Sequence, residues 1–208
     1  MTGVVLPFSG AISSAVTPGR GFASFKCTSI IEYTRRCARD ALIQASLEPE
    51  ITSIEPLQAQ SVGPADTYFA FAVVTQGRRC AVALTEYTNG TGFAPPDRCD
   101  ATVAINRASI LADPIKTAAR TIWSHRDAQI PPLFSVRLMR RLRSDPDGVR
   151  LGDLEDDLID EPKNWVGYTL AMACCGLVTV DYRSPVTDET MVRINPNRQS
   201  RLLEHWLG

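Results

Sequence analysis

Lysine is almost missing from this chain. Of its 22 basic residues only three, Lys26, Lys116 and Lys163, are lysines. The rest are arginines, whose planar fork grips a phosphate with two hydrogen bonds where an ammonium acts as a point charge. Histidine is scarcer still: two residues, His125 and His205, are too few for a histidine metal site and read as surface or helix-end positions. No apolar run approaches the ~18–20 residues that a membrane span needs, so no membrane partner is expected. Met1–Gly10 lacks a basic start, which predicts no secretory leader. The six cysteines (27, 37, 80, 99, 174 and 175) follow no metal-ligand spacing, and Cys174–Cys175 sits in an apolar run. All six read as reduced packing residues of a cytoplasmic protein. Gly90-Thr91-Gly92 lacks the helix and lysine of a phosphate loop, and no nucleophile elbow accompanies the histidines. No cofactor is expected. The net charge of −1 excludes a chain coated in nucleic acid but permits a local basic face.

What is present is an ordinary globular composition: 208 residues, 44% hydrophobic and 22% charged, enough for one or two domains. Residues 1–20 are small and polar and read as a loose arm. A helix pattern runs from Ser29 to Ala45, with Arg35, Arg36, Arg39 and Asp40 on its solvated side, and Pro49 ends it. Ile51–Ile54, Thr67–Thr75 and Arg79–Thr85 read as strands, the last two joined by a turn at Gln76–Gly77. Residues 90–100 form a loop, and Val103–Leu111 mixes strand and helix. Pro114–Trp123 and Leu133–Arg143 read as helices. In the second, Phe134, Val136, Leu138, Met139 and Leu142 are assigned to the core, and Arg137, Arg140, Arg141 and Arg143 to the opposite side. A short helix through Leu151, Leu154 and Leu158 and a third helix over 163–175 follow, the latter started by Pro162 and stopped by Gly176. Strands through Val178–Tyr182 and Thr190–Ile194 close the chain. Three helices followed by a hairpin is the order of a winged helix.

The stretch Tyr68–Thr85 resembles the core hairpin of PD-(D/E)xK nucleases, and more closely that of TnsA-like transposon endonucleases. Cys27-Thr-Ser-Ile-Ile-Glu32 resembles the start of that family's upstream helix, and Leu47–Pro56 the segment leading into its sheet. Thr121–Arg126 with Pro131–Pro132, Leu151–Leu154 and Ser184–Val192 resemble its winged-helix extension. The resemblance covers most of residues 20–194. It implies an α/β (α+β) chain: an arm over 1–20, an endonuclease-like domain over 21–112, and a winged-helix domain with a tail over 113–208.

The same resemblance places the family's upstream helix Glu on Glu32, its metal-binding Asp on Ala70, its second acid on Ala83 and its lysine on Thr85. Two carboxylates must hold Mg²⁺, and a cation must stand by the attacking water. Alanine supplies no ligand and threonine no positive charge, so the nuclease site reads as vestigial. Asp66 and Glu86 are the available relocated ligands. Glu86 lies an odd number of residues from Ala83, hence on the opposite strand face, and the plainer reading makes both solvated strand ends.

For DNA contact the candidates are Arg137, Arg140 and Arg141 on one helix, Lys163 and Asn164 with Tyr168 and Thr169 on the third, and Arg183 and Arg193 at the wing. Arg35, Arg36 and Arg39 form a further basic cluster. The third helix offers few polar side chains for reading bases, and Asp153, Glu155, Asp156, Asp157, Asp160 and Glu161 before it repel phosphate. Three functions stay open: a non-catalytic DNA-binding regulator or accessory factor of a mobile element or of transcription, nucleoid-associated; an adaptor docking a transposase-like or transcription-machinery protein; and a nuclease with relocated ligands. Homo-oligomerisation is left open.

Overall fold

A computed structural model describes residues 20–57, 62–157 and 164–197, so the expected arm lies outside them except for Arg20. Where a helix is expected from Ser29, the chain instead forms a small hairpin. β1 (Arg20–Phe22) pairs antiparallel with β2 (Ile31–Tyr33), Gly21 standing opposite Glu32. Ile31 and Tyr33 are buried and Glu32 exposed, a period of two that β-branched and aromatic side chains favour over a helix. The helix, α1, waits until Arg36 and runs to Leu47. Its far end is marked by Pro49, as the sequence predicts.

β3 (Ile51–Pro56), β4 (Thr67–Thr75), β5 (Arg78–Thr85), β6 (Gly90–Thr91) and β7 (Ala101–Asn106) make one five-stranded mixed sheet in the order β3-β4-β5-β7-β6. The central β4–β5 hairpin, joined at Gln76–Gly77, pairs Ala70 with Ala83 and Phe71 with Val82. β5 and β7 are parallel; the other neighbours are antiparallel. Phe71, Val73, Val82 and Leu84 point to the face covered by Leu42 and Ala45 of α1, whereas Ala70, Ala81 and Ala83 occupy the other.

After the short α2 (Arg107–Ile110) come α3 (Ile115–Trp123), α4 (Pro132–Arg143), β8 (Val149–Arg150), α5 (Leu154–Asp157), α6 (Trp165–Cys174), β9 (Val178–Val180) and β10 (Met191–Ile194). The last three strands form an antiparallel sheet in the order β8-β10-β9. α6 ends in a Schellman motif: Leu177 N–H donates to Met172 C=O and Gly176 N–H to Ala173 C=O, both at 2.9 Å. Gly176 sits at φ +69°, a conformation glycine adopts without penalty. α4 buries Phe134, Leu138 and Leu142. Val136, expected inside, is 61% exposed, because two residues on from Phe134 is about 200° round the helix.

One continuous cluster of buried side chains runs from Phe22 and Leu42 through Ile122 and Leu138 to Leu170 and Val192. Phe22 stacks on Trp123 with centroids 5.2 Å apart, so the amino-terminal hairpin is clasped by α3. Cys174 donates to Ile122 C=O at 3.3 Å, and burial pushes its thiol up to about 12, the chemistry of a packing residue. No helix of the described residues is long and apolar enough to cross a membrane.

Candidate functional site: an arginine-lined cleft

The strand face on which the resemblance expects acidic ligands is a small buried core of alanines. Ala70 and Ala83 are 1% and 0% exposed and lie directly opposite each other. With Ala81 and Val62 they form a separate buried cluster, flanked by Leu57 and Cys99. Gly63, at φ +72°, closes it: a Cβ there would stand 2.9 Å from that of Ala83. Thr85 is fully buried, and its hydroxyl donates to Thr88 C=O. The positions are therefore built over as well as stripped of ligands. Glu32 is the exposed residue of strand β2 rather than part of a helix.

Neither relocated-ligand candidate is a loose strand end. Asp66 Oδ2 accepts the Tyr87 and Thr88 N–H groups at 3.0 and 3.1 Å, and Oδ1 accepts the Thr88 hydroxyl at 3.0 Å. The Tyr87 amide leads in holding its carboxyl below the usual carboxylate range. Glu86 is ion-paired with Arg35 and lies 3.8 Å from Arg107. Among the described residues no group of three His, Cys, Asp or Glu side chains is placed to share a metal ion.

The DNA-contact candidates are dispersed. Arg140 and Arg143 are exposed on α4. Arg137 and Arg141 flank its buried stripe half-covered instead of facing away from it, and neither is a free cation; Arg141 lies 3.9 Å from Asp145. Asn164 is exposed ahead of α6, and Lys163 lies outside the described residues. Tyr168 packs edge-on against Phe134, 5.4 Å between centroids. Thr169 is fully buried with its hydroxyl bonded back to Trp165 C=O, so it reaches no groove. Arg183 pairs with Glu48 at 3.1 Å, and Arg193 Nε donates to Asp147 C=O at 2.8 Å. Asp153 and Glu155 are described; the side chains of the other four acidic residues, Asp156, Asp157, Asp160 and Glu161, are not.

Positive charge gathers elsewhere, between α1, α3 and β1. A cavity of about 480 Å³ is lined by Arg20, Arg36, Arg39, Arg120 and Arg126, with Asp40 as its one acidic residue. A second cavity, about 510 Å³, shares Arg36, Asp40 and Arg120 and adds Arg35, Arg107 and Glu86. Asp40, expected to be solvated, is buried. It accepts Arg120 Nε at 2.8 Å and Nη2 at 2.6 Å, a bidentate bridge between α1 and α3. That bond raises the guanidinium further above its ordinary value, fixes its plane, and leaves Nη1 as the end not held by Asp40. Arg126 lies over Trp123 and pairs with Asp127 at 2.9 Å. Arg20, Arg36 and Arg39 have no ion-pair partner among the described residues.

The sequence exposes the Arg35, Arg36 and Arg39 run, but not its completion by Arg20, Arg107, Arg120 and Arg126. Asp40 and Arg120 are 80 residues apart, and no local spacing joins them. Searches against protein-family models, curated proteins and solved structures find no match to this chain.

Proposed function

We propose that this chain is a non-catalytic DNA-binding protein, a regulator or accessory factor of a mobile element or of transcription, that holds nucleic acid through arginine–phosphate contacts. The observation that carries the reading is the α1–α3 cleft, where five arginines face one buried acid and three of them lack an ion-pair partner among the described residues. Guanidinium groups so placed are matched to phosphate oxygens, and such contacts supply affinity without reading sequence. Arg140 on α4 extends the basic surface.

The scaffold reading, a TnsA-like nuclease domain followed by a winged helix, draws support from the parallel β5–β7 pair beside the central hairpin and from the order α4, β8, α5, α6, β9, β10. The alanine core at Ala70 and Ala83 supports loss of catalysis on that scaffold. The adaptor reading has one observation in its favour: Leu133 and Val136 stand 57% and 61% exposed on α4, side chains suited to a protein partner.

A duplex-binding titration separates the two. With about six phosphates engaged, affinity falls roughly 10³-fold between 50 and 200 mM salt. Absence of any duplex shift at about 50 mM salt, where this electrostatic contribution is largest, leaves the adaptor reading standing.

A further inference from the structure

We infer that the α1–α3 cleft is a discrete site for closely spaced phosphates: the phosphorylated end of a nucleic-acid strand or a free di- or triphosphate, rather than the side of a duplex. The inference rests on the anion-binding reading of this cleft and sharpens it. A duplex is a convex rod whose phosphates are met one after another along a surface. Here the guanidinium groups come from β1 (Arg20), α1 (Arg36, Arg39) and α3 (Arg120) and converge on one concavity of about 480 Å³. That volume falls in the range of roughly 300–1,000 Å³ typical of small-ligand sites, and it admits a protruding group, not a rod.

Charge agrees. Arg120 is neutralised by Asp40 and Arg126 by Asp127, which leaves Arg20, Arg36 and Arg39 as three cations facing the space without ion-pair partners among the described residues. A terminal phosphate carries about −1.5 to −2; with the next phosphate of the chain it balances those three arginines, whereas a lone one does not. Asp40 acts as a positioning residue. It grips Arg120 through Nε and Nη2, so the remaining Nη1 is oriented before any anion arrives.

The test uses the full chain and inorganic triphosphate, followed by calorimetry at low salt. Wild-type protein binds triphosphate with a dissociation constant below about 100 μM; Arg36→Ala/Arg39→Ala weakens it at least about 10-fold, as loss of two charge-assisted contacts requires. Arg143→Ala, on the far face of α4, leaves it unchanged. Both variants alter exposed or half-exposed side chains, and unchanged thermal unfolding verifies their fold. Two competitors then name the source. Displacement by a 5′-phosphorylated oligonucleotide but not its 5′-hydroxyl twin assigns a strand end; tighter binding of a nucleoside triphosphate than of either assigns a free nucleotide. No heat with 1 mM triphosphate, or equal binding by the double variant, overturns the inference. If duplex binding persists in that event, the DNA reading survives it; if triphosphate binds and duplex does not, the cleft stands and the DNA reading falls.

Discussion

The alanine-packed face of the five-stranded sheet and the arginine-lined cleft beside α1 are opposites in how they treat space and charge. In the first, Val62 and three alanines pack against one another beneath Gly63, with the side chains of Thr67 and Thr102 at its edge. In the second, large cationic side chains hold a cavity open around one buried carboxylate. The positions at which the resemblance expects ligands are occupied by buried alanines. Charge can meanwhile accumulate where elements distant in sequence meet. On the proposed reading, the arginines beside α1 rather than the sheet face carry the function.

The sharpest way to break that contrast is to restore a carboxylate to the sheet. Ala83→Asp buries a charge with no partner beneath Gly63 and lowers unfolding free energy by about 3–5 kcal/mol in urea titrations. A well-folded Ala83→Asp protein that binds Mg²⁺ would show that the site is merely vacant. Next in size, Asp40→Ala removes the bridge that orients Arg120. Because Arg120 is half-exposed and regains water, the loss is about 1–3 kcal/mol by the same measurement.

A smaller effect has the opposite sign. Lys26 is buried, its ammonium donating to Glu48 C=O, and burial lowers its pKa from 10.5 to about 8 despite nearby Glu48. The unfolded chain holds this proton up to its ordinary value, so between pH 8 and 10.5 it binds more protons than the folded one and stability from this group rises with pH. Lys26→Met stabilises the protein by about 1 kcal/mol at pH 7, and the advantage shrinks across that window in denaturant titrations. Smallest of all, Arg143→Ala changes stability by less than about 0.5 kcal/mol, as for an exposed surface side chain.

The hairpin is legible because Thr67–Thr75 is rich in β-branched and aromatic residues, Arg79–Thr85 alternates, and the two flank a Gln-Gly turn; both strands form at nearly those limits. The helix α4 is legible from Phe134, Leu138 and Leu142, whereas Val136, about 200° round from Phe134, stands in solvent. The region before α1 misled for a physical reason. Ile30 and Ile31 satisfy a helical count, but their branching and the pairing with Phe22 favour a strand. Of the cleft, only its α1 arginines were visible. Asp40 looked solvated beside them, and its burial depends on Arg120, which only the packing of α3 on α1 delivers. Tertiary ion pairs of this kind leave no periodic trace.

The most direct test of the central claim compares, at about 50 mM salt, affinity for a short duplex with 5′-phosphorylated single-stranded tails, whose ends the cleft admits, for wild type, a cleft variant (Arg20→Ala/Arg36→Ala/Arg39→Ala) and an α4 variant (Arg140→Ala/Arg143→Ala). The cleft variant is expected to lose roughly 30-fold or more and to flatten the salt slope by up to about three, one unit per arginine, while the α4 variant changes less than about threefold. Equal binding by wild type and cleft variant, or a larger loss from α4, would contradict it.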